Sequence, residues 1–322
     1  MTLQTATRPL NALYDTALLD LDGVVYVGAR AVPAAPEAVA KARASGMGVA
    51  FVTNNASRTP SSIAERLTAL GVEATARDVV TSAEAAARLL AERFPAGSPV
   101  LVVGDTGLRL ALIRRGLRPV TLAADGPVAV VQGHTPRLSH DLVSQGALAV
   151  ARGALFVAAN NDATAPVEDG IIPGNGSFAR VIAHATGVEP VVAGKPMKPL
   201  HDEGVLRTGA ENPLVVGDRL DTDVQGAVAR GAASMLVLSG VTGPHELVAA
   251  PEGLRPDYIA WDLAGLNEAH PEPRGWRASV RDGRVELSGS GDRLHGLRAV
   301  CSAAWRQDGP VDAEAALARL GW

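Results

Sequence analysis

A chain of 322 residues, 47% of them hydrophobic, has the length for two packed domains and a further small piece. The formal net charge of −4 leaves no basic footprint for nucleic acid, and a single cysteine, Cys301, rules out an internal disulfide and fits a reducing cytoplasm. The stretch from Met1 to Leu13 lacks a signal-peptide core, and no run approaches the ~18 apolar residues needed to span a bilayer, so a cytoplasmic protein with no membrane partner is expected.

In chain order, Ala17-Leu18-Leu19 runs straight into Asp20-Leu21-Asp22-Gly23. So short an unbroken apolar run predicts a strand buried on both faces, with two carboxylates at its carboxyl end. In an open α/β sheet, ligands sit at that end. Pro33 and Pro36 then introduce a helix over 37–43, stopped by Gly46. A second strand, over 49–52, ends in Thr53-Asn54-Asn55. Ser62 and Glu65 have capping-box spacing for the next helix, and Thr81 and Glu84 repeat it before a helix over 85–93. A second α/β series follows, with strands over 100–103, 128–131 and 155–158 and helices after Gly107 and over 138–151.

The segment from Asn160 to Gly176 is rich in turn formers and reads as loop. A strand over 191–193 ends in Gly194-Lys195-Pro196, and one over 214–216 ends in Gly217-Asp218-Arg219-Leu220-Asp221-Thr222-Asp223. A helix to Gly231 and a strand over 234–238 complete this part. After about residue 268 the character changes. Trp276, Trp305 and Trp322 fall there, with a two-residue hairpin at Asp282-Gly283 and helices over 292–306 and 312–320.

Four strand ends thus carry polar groups that belong together: Asp20 and Asp22, Thr53-Asn54-Asn55, Lys195, and Asp218 with Asp223. Parallel strands of one sheet would bring all four to one edge. Carboxylates are hard ligands that suit Mg²⁺, and a hydroxyl, backbone N–H groups and an ammonium suit the oxygens of a phosphoryl group. Lys195 stands out because the chain has only two other lysines, Lys41 and Lys198. The acid pair is not an EF-hand, which would need oxygen ligands where Val24 and Ala31 stand.

Asp20-Leu21-Asp22-Gly23-Val24-Val25-Tyr26, Phe51-Val52-Thr53-Asn54-Asn55, Gly194-Lys195-Pro196 and Gly217-Asp218-Arg219-Leu220-Asp221-Thr222-Asp223 resemble, in order, the four motifs of haloacid-dehalogenase (HAD) superfamily phosphatases. The Thr-Asn-Asn variant and the long insert before the third motif are similar to subfamily IIA, which includes NagD-like, phosphoglycolate and p-nitrophenyl phosphatases. Within it, Val79-Val80-Thr81-Ser82-Ala83 and Pro173-Gly174-Asn175-Gly176-Ser177 resemble actinobacterial glycerol 3-phosphate phosphatases, which also carry an acetyltransferase-like tail.

The resemblance implies an α/β fold. A Rossmann-like core with a parallel sheet would occupy 1–80 and 190–267, an inserted α/β cap 81–189, and a small α+β extension, an acetyltransferase-like remnant, 268–322. It implies that Asp20 attacks phosphorus and that Asp22 serves as general acid and then base, its pKa pushed up by the neighbouring acids. Mg²⁺ would be held by the Asp20 carboxylate, the Asp22 carbonyl and Asp218, with Asp223 in support and Asp221 capping the following helix. Thr53, the backbone at Asn54 and Asn55, and Lys195 would bind phosphate, Lys195 also pairing Asp20. Asn161 and Asp162 are candidates for cap-borne specificity.

The expected reaction is Mg²⁺-dependent hydrolysis of a small phosphate monoester through an aspartyl-phosphate, with glycerol 3-phosphate favoured over phosphoglycolate or sugar phosphates. A phosphotransferase and a non-catalytic phosphometabolite sensor are the rival readings. A homodimer through the cap is the oligomeric state the resemblance suggests.

Three signals are set aside. Gly104-Asp105-Thr106-Gly107 lacks the rest of a dinucleotide fingerprint and reads as a tight βα turn. Glu286-Leu287-Ser288-Gly289-Ser290-Gly291 distantly resembles the acyl-CoA pyrophosphate loop of acetyltransferases, but Glu286 stands where that motif has Arg or Gln. His134 occupies a position where many members of the subfamily carry Asp, and His184 reads as an ordinary helix histidine.

Overall fold

The apolar run before the first acid pair is a strand, Thr16–Leu19, with all four residues buried. In the computed structural model, which describes residues 3–167 and 170–322, the chain divides into two units. Met1 and Thr2, part of the amino-terminal stretch considered above, lie outside the described residues. Unit 1 comprises Met1–Ala50, Leu70–Val72 and Thr208–Trp322; unit 2 comprises Phe51–Ala69 and Glu73–Arg207.

In unit 1, parallel strands lie in the order Tyr258–Ala260, Ala233–Val237, Pro213–Gly217, Thr16–Leu19. The pairs Leu19↔Val216 and Gly217↔Leu236 set the register, so Asp20 and Asp218 both follow the carboxyl ends of adjacent strands. The next strand in the order, Gly48–Thr53, runs past the boundary after Ala50. In unit 2 its end pairs Thr53 with Thr81 of the strand Val79–Thr81. Two sequence signals behave as their chemistry dictates. Thr81 forms a complete capping box with Glu84, opening the helix Ser82–Ala91, and Gly46 takes the left-handed φ of 92° that ends Ala35–Ala44.

Unit 2 holds a five-stranded parallel sheet in the order Val191–Val192, Leu155–Ala158, Ala129–Gln132, Pro99–Val103, Arg118–Val120. Helices His140–Ala151 and Asn175–Thr186 cover it over a core of Leu101, Val130, Val150, Phe156 and Ile182.

Three local expectations fail. Ser62 lies inside a helix that starts at Pro60, because Thr59 supplies the hydroxyl accepting from the Ser62 amide and Pro60 presets the first turn. The segment from Asn160 to Gly176 is not all loop: Thr164–Val167 and Gly170–Pro173 form a hairpin, and a helix starts at Asn175. Cross-strand pairing outweighs the turn propensities there. The strand before Lys195 pairs Val192 with Ala158, so it edges the five-stranded sheet and does not join the strands that carry the acids. Two residues of a parallel edge strand carry too little pattern to name their sheet.

The carboxyl-terminal residues share a core with the rest of unit 1. Leu297, Val300, Cys301, Trp305, Leu317 and Leu320 pack in one cluster with Leu220, Leu236, Leu247 and Ile259. The hairpin Trp276–Arg281/Arg284–Gly289 turns at Asp282 and Gly283, with φ of 48° and 74°, as a two-residue loop requires.

His270 is buried at the start of this segment, its Nε2 2.9 Å from the Gly265 carbonyl. Burial holds the imidazole pKa below its ordinary value, and the Arg298 guanidinium and His295 lower it further. The unfolded chain therefore binds protons at His270 before the folded one does. The stability this group contributes is complete above the unfolded pKa of ~6.5 and is lost as pH falls from there toward the folded value. Urea midpoints at pH 7.5 and 5.5 should show a smaller acid loss in His270→Gln than in the native chain; equal losses would refute this.

Candidate active site

Three carboxylates meet in unit 1. Oxygens of Asp20, Asp218 and Asp223 lie within 4.8 Å of one another, and Asp218 and Asp223 are each 1% exposed. Asp20 continues the ladder after Leu19, its amide donating to the Val216 carbonyl at 2.8 Å. Asp218 is placed one residue past its own strand and is held by the Val241 amide, which donates to Oδ2 at 2.7 Å. Asp223 is returned to the cluster by the irregular turn Leu220–Val224, and its Oδ2 accepts from the Arg219 amide at 3.2 Å.

Glycines make room for this. A Cβ on Gly23 or Gly240 would collide with the Asp218 carboxylate, and one on Gly217 with that of Asp223. The role of Gly240 was not read from the sequence, although it lies just past the strand Ala233–Val237, at the edge where the acids sit.

Three ionised groups at this spacing repel by about 3 kcal/mol per pair at an effective dielectric of 20. An all-oxygen donor set of this charge fits a hard divalent cation. The structure thus gathers Asp20 and Asp218 as expected and draws Asp223 in as a full member. Asp22 is different: its side chain is exposed, and its backbone bridges to Tyr26. Asp221 does not cap a helix. Its carboxylate takes two hydrogen bonds from Arg219, at 2.9 and 2.7 Å, and these hold its pKa below the usual carboxylate range. A guanidinium two residues away outcompetes the amides of a distorted turn.

Unit 2 contains the polar groups of the second and third motifs. Thr53 Oγ1 accepts from the Asn55 amide at 3.1 Å, and Asn55 Oδ1 accepts from the amides of Ser57 and Arg58 at 3.0 and 2.9 Å. The Asn54 side chain is a tie. It accepts from the Lys195 amide at 2.8 Å and donates to the Lys195 carbonyl and to both oxygens of Asp162, each at 3.2 Å. The Asn54 carbonyl accepts from Ser82 Oγ and Asn160 Nδ2 at 2.6 and 2.7 Å, partners the sequence did not announce.

Lys195 is 3% exposed, and its Nζ donates to the Val52 carbonyl at 3.3 Å. That brings the ammonium beside the strand that ends in Thr53, despite the different sheet its own strand joins. Asp162 therefore meets Asn54, whereas Asn161 is exposed.

Residues 17–118 match the family model for haloacid dehalogenase-like hydrolases, 192–266 the HAD-hydrolase-like model, and 273–322 that of a GCN5-related N-acetyltransferase-like domain. The last region does not fit an acyl-CoA pyrophosphate. At the helix Arg293–Ala304 the Asp292 carboxylate itself accepts from the Leu294 and His295 amides at 2.8 and 3.2 Å, so an acid already occupies the place an anion would take.

The D-glycerol 3-phosphate phosphatase of Mycobacterium tuberculosis is 42% identical over 307 residues, covering 91% of this chain and 86% of that protein. An acid sugar phosphatase of Staphylococcus saprophyticus is 33% identical over 253 residues, covering 78% and 95%. The crystal structure of a glycerol phosphate phosphatase from M. tuberculosis in complex with magnesium superposes with a TM-score of 0.90 at 41% identity, covering 97% of this chain and 98% of that one. With its acids at adjacent strand ends and this extent of likeness, the chain belongs to the haloacid dehalogenase-like hydrolase family.

Proposed function

We propose that the protein hydrolyses a small phosphate monoester through an aspartyl-phosphate, with Mg²⁺ as cofactor and glycerol 3-phosphate as the favoured substrate. The observation that carries the reaction class is the triad of Asp20, half-buried, with Asp218 and Asp223, both buried. The substrate choice rests on the named activity of the M. tuberculosis relative. Asp20, Asp218 and the Asp22 carbonyl would hold the metal, with Asp223 beside them in support. When bound, Mg²⁺ offsets the charge of the acids and of the phosphoryl oxygens.

Asp20 attacks phosphorus as the ester oxygen leaves, and Asp22 protonates that oxygen. Asp22, now a carboxylate, then takes a proton from the water that attacks the aspartyl-phosphate, which releases phosphate and restores Asp20. Exposure of Asp22 suits this role, because its proton must exchange with incoming substrate and water. Thr53, the turn through Asn54 and Asn55, and Lys195 bind the phosphoryl oxygens. Asn161 and Asp162 help select the ester.

We assign the core to 1–80 and 190–267, the cap to 81–189 and the extension to 268–322; the family-model matches over 192–266 and 273–322 support the second core stretch and the extension. Homodimerisation through the cap is part of the proposal, supported by exposed Ile171 and Ile172 on the hairpin. So is a cytoplasmic location, since among the described residues no helix is long and apolar enough to cross a membrane. A screen of about thirty phosphometabolites, ranked by kcat/KM with and without Mg²⁺, tests the function. Glycerol 3-phosphate should rank first; a sugar phosphate in that place would retain the reaction class and replace the substrate, and no Mg²⁺-dependent release from any ester would overturn both.

A further inference from the structure

The motif Gly104-Asp105-Thr106-Gly107 and the glycine at 133 take no part in the chemistry above, yet all three glycines are closely approached. The Gly107 amide donates to the Ser57 carbonyl at 3.0 Å. A Cβ on Gly107 would stand 2.5 Å from the Arg58 carbonyl oxygen and 2.8 Å from that of Ala56. A Cβ on Gly133 would stand 3.0 Å from the Ala56 Cβ and 3.3 Å from Leu108, and one on Gly104 2.9 Å from Leu108. None of the three has the left-handed φ that would itself demand glycine, so what they supply is room. At Gly107 and Gly133 what occupies that room is the segment 56–58, continuous with Thr53-Asn54-Asn55 and folded onto it by the Asn55 side chain; at Gly104 it is the Leu108 side chain.

We infer that Gly107 and Gly133 form a seat for residues 56–58 and thereby position the Thr53–Asn55 turn for phosphate, with Gly104 leaving room for the Leu108 side chain that Gly133 also meets. They are positioning residues that touch no substrate. The inference rests on the reading of Thr53–Asn55 as a phosphate-binding turn. Helix Thr106–Arg114 is anchored independently of this contact, since Asp105 Oδ1 accepts from the Thr106 amide at 2.7 Å and from Arg137 Nη2 at 3.0 Å. A methyl group at the seat therefore moves the loop rather than the helix. A shift approaching 1 Å at a positioning contact costs up to about 10²-fold, and a few tenths of an ångström cost less.

The experiment measures inorganic phosphate binding to the full-length protein by isothermal titration and by competitive inhibition. Gly133→Ala should weaken phosphate about 5- to 10-fold, a partial version of that 10²-fold loss. Gly107→Ala, which meets backbone oxygens, should weaken it more. Adding Ala56→Gly to Gly133→Ala removes the methyl that is met and should restore affinity to within about twofold of the native chain, which a purely structural role would not do.

Leu112→Ala, which empties a buried position on the same helix, should lower Tm and leave phosphate affinity unchanged. Thr53→Ala separates the two layers of the argument. If it weakens phosphate while Gly133→Ala binds like the native chain, or if the double variant stays weak, the seat is refuted and the phosphate turn stands. If Thr53→Ala leaves phosphate binding intact, both fall. Should Gly107→Ala fail to fold, the Gly133 pair decides alone.

Discussion

Replacing Asp20 with asparagine should lower kcat by at least about 10⁴-fold while leaving the circular dichroism spectrum unchanged. Losing the nucleophile of a catalytic unit costs about 10⁴- to 10⁶-fold in comparable dissections. An amide of the same shape cannot form the acyl-phosphate bond on which the two-step route depends. The effect on stability has the opposite sign. Asp20 is one of three carboxylates within 4.8 Å, so neutralising it removes two repulsive pairs, each about 3 kcal/mol at an effective dielectric of 20 before solvent and protonation reduce it. In the absence of divalent ions the variant should melt no lower than the native chain. Acid quench during turnover should trap phosphate on the native protein and none on Asp20→Asn. Undiminished Mg²⁺-dependent phosphate release from the variant would end the assignment of Asp20 as nucleophile.

The largest stability effect is expected outside the four motifs, at Glu203. This side chain, 5% exposed, is met by three guanidinium groups in unit 2: Arg207 Nη2 at 2.8 Å, Arg115 Nη2 at 2.9 Å and Arg88 Nη1 at 3.5 Å. Arg207 also reaches Glu84, at 3.0 Å, and the Val79 carbonyl, at 2.6 Å. Burial by itself would lower the Arg207 pKa; the Glu84 and Glu203 carboxylates outweigh it and hold the guanidinium above its ordinary value.

Removing the shared acid leaves the half-buried Arg207 with Glu84 alone and strips Arg115 of its only ion pair among the described residues. Breaking a buried pair from one side costs about 3–5 kcal/mol, much more than the 0–1 kcal/mol of an exposed one. Glu203→Ala should therefore lower Tm by roughly 6–20 °C for a unit of this size. Glu203→Gln, which keeps the volume and the acceptor oxygen, should fall in between. Equal melting of the alanine variant and the native chain would show that the network contributes nothing net.

The three carboxylates of the triad were all legible as candidates, because strand-end acids after apolar runs follow from period and burial alone. Their ranking was not. Asp223 reads only as a supporting acid until the irregular turn at Leu220–Val224 returns it to Asp20, and Asp221, two residues earlier, is diverted by Arg219. The backbone at Asn54 was expected to serve phosphate, and the role of its side chain was not read. That side chain is spent on Lys195 and Asp162, contacts across more than a hundred residues that no local pattern encodes.

What the amino-acid order determined alone is whatever depends on neighbours within a turn or two. That covers the apolar strands, the Thr81–Glu84 box, the Asp282-Gly283 hairpin and the placing of acids at the ends of strands. Tertiary structure decided which sheet the Val191–Val192 strand joined, how the carboxyl-terminal helices came to share a core with Leu236 and Ile259, and why Gly107 and Gly133 had to be small. The reason is physical. Local signals act through backbone torsions and hydrogen bonds a few residues apart, whereas packing energy depends on close approach between segments whose separation along the chain carries no periodic signature.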